Sequence, residues 1–257
     1  VKSKVLIYDI ETTPSLGYVW GKWQQDVLKF TEEWYIMCFA YKWLGEKQTH
    51  VVAQPDFKLY KKDKQSDYEV VKKLHELFNE ADAVVAHNGN SFDQKKSQAR
   101  MIIHGFEPPT PYKQVDTKLV ARRNFNFNSN KLDDLGTYFG LGNKVQTGGF
   151  DLWLGCMAGD KKCWDKMKKY NKQDVVLLEK IYLKMNPWDK QSLPLNVIED
   201  RPSSCPKCAR EGTMIKLHKY THVKSGATYQ YFRCNQCSGT AKSRVPEDSF
   251  KKVDYVS

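Results

Sequence analysis

Three short stretches of this chain set carboxylates where they could work together. Asp9-Ile-Glu11-Thr12 ends an apolar run whose alternation reads as a strand, so the two-residue step projects both acids from one face. Thr12 stands where the chain could turn towards a substrate. His87-Asn88-Gly89-Asn90-Ser91-Phe92-Asp93 follows a second apolar run, Ala83–Ala86, and opens a helical pattern. Ligands in open α/β sheets gather where strands end, and Gly89 lets backbone come close. Tyr170-Asn171-Lys172-Gln173-Asp174 lies in a long helical pattern, where Tyr170 and Asp174 share a face beside Met167, Leu177, Leu178 and Ile181. A carboxylate amid that packing is costly unless a cation or donor meets it. Phosphodiester hydrolysis by two metal ions uses converging acids of this kind, and Mg²⁺ or Mn²⁺ suits them because hard cations take oxygen ligands.

The chain contains its own controls. Asp67-Tyr-Glu69 repeats the Asp-x-Glu spacing but begins a charged helix, where a solvated first turn favours acids. Tyr112 to Asp116 repeats the Tyr-to-Asp spacing in a proline-led extended segment, so those side chains would not share a helical face. His87 reads as a structural hydrogen-bonding residue. Arg122-Arg123-Asn124-Phe125-Asn126-Phe127 reads two ways, as a platform on which single-stranded bases stack or as a strand edge with both Phe residues in the core. Gly148-Gly149 reads either as a phosphate-approaching backbone or as a plain turn.

A second chemistry is written in the cysteines. Cys205-Pro-Lys-Cys208 and Cys234-Asn-Gln-Cys237 are two Cys-x-x-Cys pairs 25 residues apart, the spacing of a closed four-thiolate Zn²⁺ site. Tyr220 to Arg233 would supply the hairpin strands of a zinc ribbon. His218 and His222 form a weaker alternative pair of ligands. Cys38, Cys156 and Cys163 read as packed thiols.

The elements that must position these groups follow from periodicity. Strands are expected at Lys4–Ile10, Trp34–Trp43 and Thr49–Ala53, the last two joined by a turn at Gly45. A helix from Asp67 to Asn79, the buried strand Ala83–Ala86 and a helix from Phe92 to His104 stopped by Gly105 come next. A short strand ends at Asp116-Thr117, either of which could cap a helix beginning near Lys118. Helical patterns recur at Lys131–Phe139 and Lys161–Met185. Strands alternating with helices indicate an α/β fold. Asn186-Pro187, Pro194 and Pro202 then punctuate an aperiodic stretch. The expected division is a domain over 1–195, a linker over 196–204, a ribbon over 205–250 and a tail over 251–257.

Together the three acidic stretches resemble the motifs of the DEDD superfamily of 3′-to-5′ exonucleases, in the subclass with a tyrosine in the third motif (DEDDy). Asp9-x-Glu11-Thr12 matches the first motif, Asn88-x-x-x-Phe92-Asp93 the second and Tyr170-x-x-x-Asp174 the third, in the family's order. Phe127 to Asp133 and Thr147 to Trp153 are similar to segments of bacteriophage-encoded members. The resemblance implies an RNase H-like mixed sheet flanked by helices, with Asp9, Glu11, Asp93 and Asp174 holding two Mg²⁺ or Mn²⁺ ions. It implies that Asp9 bridges both ions, that Glu11 and Asp174 serve the water-activating ion, and that Asp93 serves the second. Tyr170 would orient the attacking water, and Thr12 and Asn88 would contact the 3′-terminal nucleotide. The implied substrate is a 3′ end, of single-stranded DNA first and of RNA as the alternative.

Composition sets the outer limits. The 257 residues, 40% hydrophobic and 28% charged, suit folded domains and not a collagen-like or disordered chain. The longest uncharged runs, Thr12–Gly21 and Ala83–Phe92, are ten residues each, against about 20 for a membrane helix. The opening reaches Asp9 too soon for a signal peptide, so a cytoplasmic protein is expected, in a bacterial host if the source is a phage. A net charge of +11 favours a polyanionic partner, and residues 201–257 carry 11 Lys or Arg against 4 Asp or Glu. Rival readings are a non-catalytic nucleic-acid binder on the same fold, and a ribbon that docks a replication or repair protein.

Overall fold

The structure is a computed structural model and describes residues 2–23, 26–142, 148–222 and 227–243. The chain forms two compact units, one of residues 4–182 and one of residues 1–3 with 183–257.

The first unit runs β1 (Val5–Thr12), β2 (Leu16–Tyr18), β3 (Lys29–Glu32), β4 (Ile36–Trp43), β5 (His50–Ala53), α1 (Tyr68–Glu80), β6 (Ala83–Ala86), α2 (Asp93–Ile103), β7 (Lys113–Asp116), α3 (Thr117–Asn124), α4 (Leu132–Tyr138), α5 (Asp151–Ala158) and α6 (Lys161–Met185). Its five-stranded sheet has the order β5-β4-β1-β6-β7. β4 and β5 make the expected antiparallel meander with β1, while β6 pairs parallel with β1 and β7 parallel with β6. This mixed sheet fits an RNase H-like fold.

Both faces of the sheet are covered, which is why β6 reads as a continuous apolar run. On one face Leu6, Tyr8, Ile10 and Phe39 pack with Val70, Leu74 and Phe78 of α1 and Met101 of α2. The Tyr8 and Phe78 rings meet edge to face at 5.1 Å. On the other, Met37 and Cys38 pack with Leu152 and Cys156 of α5 and Trp164 and Met167 of α6. Since successive side chains of a strand alternate, Asp9 and Glu11 lie opposite Tyr8 and Ile10, on the α6 side. Asp9 pairs with Ala40 and Glu11 with Cys38, and the β1–β4 register shifts immediately after, between Glu11 and Thr12.

One reading of the control motifs changes, and the other, Asp116 as a strand-borne helix cap, is borne out and extended. Asp67 is not in a solvated turn: it is fully buried (0% exposed) and accepts hydrogen bonds from the Ile36 amide at 2.9 Å and from Arg100 Nε and Nη2 at 2.7 and 2.6 Å. His104 Nε2 lies 2.6 Å from the same carboxylate. The sequence could not show this, because Arg100 and His104 reach Asp67 only once α2 packs on α1. Asp116 is likewise a structural hub. Its carboxylate caps α3 through Lys118 N and Leu119 N at 2.9 and 3.3 Å, and also accepts Asn88 N at 3.0 Å and Asn90 N at 3.1 Å. α5 and the β2–β3 hairpin were not expected from periodicity.

In the second unit, α7 (Leu195–Ile198) precedes β8 (Met214–His222), β9 (Thr228–Cys234) and β10 (Thr240–Lys242), an antiparallel sheet of order β10-β9-β8. β8 and β9 extend the expected hairpin. The stretch 196–204 contains most of α7 and the buried Glu199 and Ser204, and Leu195 N donates to Pro206 O at 2.9 Å. His218 is exposed on β8, a strand and not a helix; the His222 side chain lies outside the described residues. Among the described residues no helix is long and apolar enough to cross a membrane.

Candidate active site

β1 and α6 bring the first and third motifs together. One carboxylate oxygen from each of Asp9, Glu11 and Asp174 lies within 4.8 Å of the others. Asp174 is 1% exposed, and Asp9 and Glu11 are half-buried. Three like charges held this closely repel, and all-oxygen donors suit a hard divalent cation, so the residues present fit Mg²⁺ or Mn²⁺.

Tyr170, one turn before Asp174, is drawn into the same electrostatics. Burial pushes its phenol far above the usual range, and the nearby charges of Glu11, Asp174 and Asp9 push it further. The hydroxyl therefore stays protonated and can donate a hydrogen bond. Trp153 of α5 backs the ring edge-on at 6.3 Å. α5 can lie this close to α6 because residue 155 is Gly: a Cβ there would overlap Cys163 Sγ.

Asp93 stands beside this group but is not within it. Its carboxylate is buried at the start of α2 and accepts the Ile10 amide at 3.1 Å, between the two acids of β1. Asn88 takes a left-handed conformation at φ 66°, and its side-chain oxygen accepts Lys118 Nζ at 3.2 Å. At Gly89 a Cβ would lie 2.7 Å from that of Ala86. His87 is the structural residue expected, its ring nitrogens each 2.9 Å from Thr117 Oγ1 and Asn130 O. Thr12 is half-buried at the register shift that ends β1.

Arg122 and Arg123 are exposed in the last turn of α3, outside the gathered acids. Phe125 and Phe127 are half-buried, stacked at 5.2 Å, and Phe127 stacks on Tyr138 of α4 at 5.6 Å. They follow a helix and are not on a strand edge.

One positioning residue was missed. Asn171 is fully buried, and its Nδ2 donates to Asp9 Oδ2 at 2.7 Å and to Asp9 O at 3.1 Å, tying the first motif to the third. Its neighbours Tyr170 and Asp174 were legible by spacing. Asn171 was not, because its partner is distant in sequence.

The second unit gathers Cys205, Cys208, Cys234 and Cys237, whose sulfurs lie within 4.8 Å of one another. Cys205 and Cys237 are 3.7 Å apart, and Cys208 and Cys234 3.8 Å. Zn–S bonds of about 2.3 Å in a tetrahedron place sulfurs about 3.8 Å apart, so the four residues fit Zn²⁺. The Lys207 and Gln236 amides donate to Cys205 and Cys234 Sγ, both at 3.4 Å. Burial raises the Cys234 thiol, but bonds with Thr213 and the Cys237 and Gln236 amides outweigh it and bring it to about 6. Lys207 is itself buried, its ammonium meeting Asn186 O, Asp189 O and Ser192 Oγ.

A family model described as the RNase H superfamily matches residues 6–186. Among solved structures, the chain is similar to the family B DNA polymerase from the hyperthermophilic archaeon Pyrobaculum calidifontis, with 16% identity and a TM-score of 0.51. The likeness covers 77% of this chain and 27% of the polymerase, so the chain spans about a quarter of that protein's length. At this identity the likeness is one of fold. No curated protein matches the sequence.

Proposed function

Because the chain belongs to the RNase H superfamily, we propose that it is a two-metal-ion 3′-to-5′ exonuclease of the tyrosine subclass, acting on single-stranded DNA and releasing 5′-mononucleotides. The observation that carries this reading is the convergence of Asp9, Glu11 and Asp174, with Tyr170 one turn before Asp174 on the same helix. Two divalent ions, when bound, would supply Lewis-acid activation and neutralise charge developing on the phosphate. Asp9, Glu11, Asp93 and Asp174 would hold them. Asn171 fixes the orientation of Asp9, and Tyr170 holds the attacking water by its hydroxyl. Thr12 and Asn88 take the 3′-terminal nucleotide, and Arg122 and Arg123 meet phosphates further along.

In the same reading the unit of residues 4–182 is the nuclease domain, and the unit that begins at residue 183 carries a zinc ribbon from Cys205 onward. The ribbon carries one structural Zn²⁺ and docks a replication or repair protein. A bacteriophage source and the host cytoplasm follow from the resemblance that gives the subclass.

The test compares single-stranded DNA, duplex DNA and RNA, each labelled at the 5′ end, with Mg²⁺. Single-stranded DNA is expected to shorten stepwise from its 3′ end fastest, and chelation of Mg²⁺ should stop it. Faster shortening of RNA would replace the substrate, and no nucleotide release from any of the three would overturn the activity.

A further inference from the structure

β2 and β3 form a two-stranded hairpin of their own, separate from the five-stranded sheet. A lone hairpin is marginal in water, and this one nevertheless turns its largest side chains outward. Trp20 is 86% and Trp23 76% exposed, with Tyr18 and Phe30 also exposed. The other tryptophans of this unit, Trp34, Trp43, Trp153 and Trp164, are buried or half-buried. Trp20 and Trp23 lie in the connection between the two strands, while Tyr18 and Phe30, paired with Lys29 and Gly17, face opposite sides of the hairpin. Exposed rings are thus offered on both sides and at the connection, unlike scattered surface hydrophobics.

The root of the hairpin fixes where that surface belongs. The chain enters it directly from Glu11-Thr12 at the end of β1 and leaves it at Tyr35 to begin β4. Thr13 N donates to Tyr35 O and Tyr35 N to Thr13 Oγ1, both at 3.0 Å, which closes the root. Above it, Lys96 Nζ in the first turn of α2 sits 3.6 Å from the Trp34 ring centroid and 5.5 Å from that of Phe92, the neighbour of Asp93. Both elements that carry β1 and α2 acids are thus tied to the hairpin's base.

We propose that this hairpin is a stacking arm for single-stranded nucleic acid, with Trp20 and Trp23 taking bases upstream of the end held at the Asp9–Glu11–Asp174 group. The proposal rests on the exonuclease reading for its substrate and adds a second, separate grip. Rings favour bases over a protein partner's aliphatic surface, since every base offers a π-face and stacking is tolerant of sequence. Lys22 Nζ lies 5.1 Å from the Trp23 ring centroid, so a cation accompanies the stack, as a phosphate-linked ligand requires. Asp26, Glu32 and Glu33 outnumber Lys22 and Lys29 in this segment. The arm's grip therefore comes from stacking and not from net charge.

The test measures binding of 5′-labelled oligothymidylates of two and twelve nucleotides to the full chain without added divalent ions, with salt varied. For the twelve-mer, Trp20→Ala/Trp23→Ala should weaken binding at least about tenfold, given roughly 1–3 kcal/mol per stacked base. The two-mer should be affected far less, and the slope of log affinity against log salt should stay the same, because no phosphate contact is removed. Trp20→Phe/Trp23→Phe should restore most of the affinity, and the twelve-mer should quench tryptophan fluorescence in the parent more than in the Ala variant. Equal twelve-mer affinity of parent and Ala variant overturns the proposal, as does a loss that Phe does not rescue. An Ala variant that binds DNA normally but loses a concentration-dependent dimer in sedimentation overturns it in favour of self-association. Stacking that persists without Mg²⁺-dependent nucleotide release would retain the arm and reject the exonuclease; release with equal affinities would do the reverse.

Discussion

Asp67 and Asp9 each begin an Asp-x-Glu pair in the same unit, yet their carboxylates meet different company. Asp67 is met by the Arg100 guanidinium and the His104 ring, and it pins Ile36 at the start of β4. Asp9 is held by the Asn171 amide against two further acids, Glu11 and Asp174. In the first case the chain supplies cations to a buried anion, and the result is a clamp between α1, α2 and β4. In the second it gathers anions, which raises the free energy of the metal-free state and lowers that of a state with divalent cations bound.

Neutralising substitutions should separate the two sharply. Asp9→Asn and Asp174→Asn are each expected to abolish Mg²⁺-dependent nucleotide release while leaving the apo melting temperature unchanged or higher, since one repelling charge is removed. Substantial single-turnover release by either variant would break the comparison at once. Asp67→Asn should act in the opposite sense, costing about 3–5 kcal/mol in urea unfolding by stranding the Arg100 charge. A loss below 1 kcal/mol would mean that the clamp adds little. Asn171→Ala keeps every acid and removes only the tie between β1 and α6. It should raise the Mg²⁺ concentration for half-maximal activity about 10- to 100-fold, the usual cost of losing a group that orients a ligand. An unchanged Mg²⁺ titration would assign Asn171 to packing. The smallest effect is expected at Asp116→Asn, where one amide oxygen must serve amides that two carboxylate oxygens now share. About 1 kcal/mol of stability should be lost, with weaker binding of 3′ ends through the Asn88 loop, and unchanged binding would show that the loop keeps its shape unaided.

Most of what positions the acids was legible because it is local. The alternation of Val5 to Glu11 gave a strand with both acids on one face, and the four-residue step from Tyr170 to Asp174 gave a shared helical face. What was not legible depends on contacts between distant segments. Asp67 looked solvated because Arg100 and His104 lie on another helix. α5 was hidden by Gly155, which weakens a helical pattern but is needed for close approach to Cys163. The β2–β3 hairpin is built from strands of three and four residues around Gly17, too short for alternation to register.

The Asn88-Gly89 step also limits how this chain can vary. At φ 66° residue 88 is comfortable as Asn, Asp or Gly and strained for β-branched side chains, and residue 89 has no room for a Cβ beside Ala86. A library randomised at these two positions should therefore return well-folded members from only a handful of combinations, selected by backbone geometry before any requirement for activity is imposed.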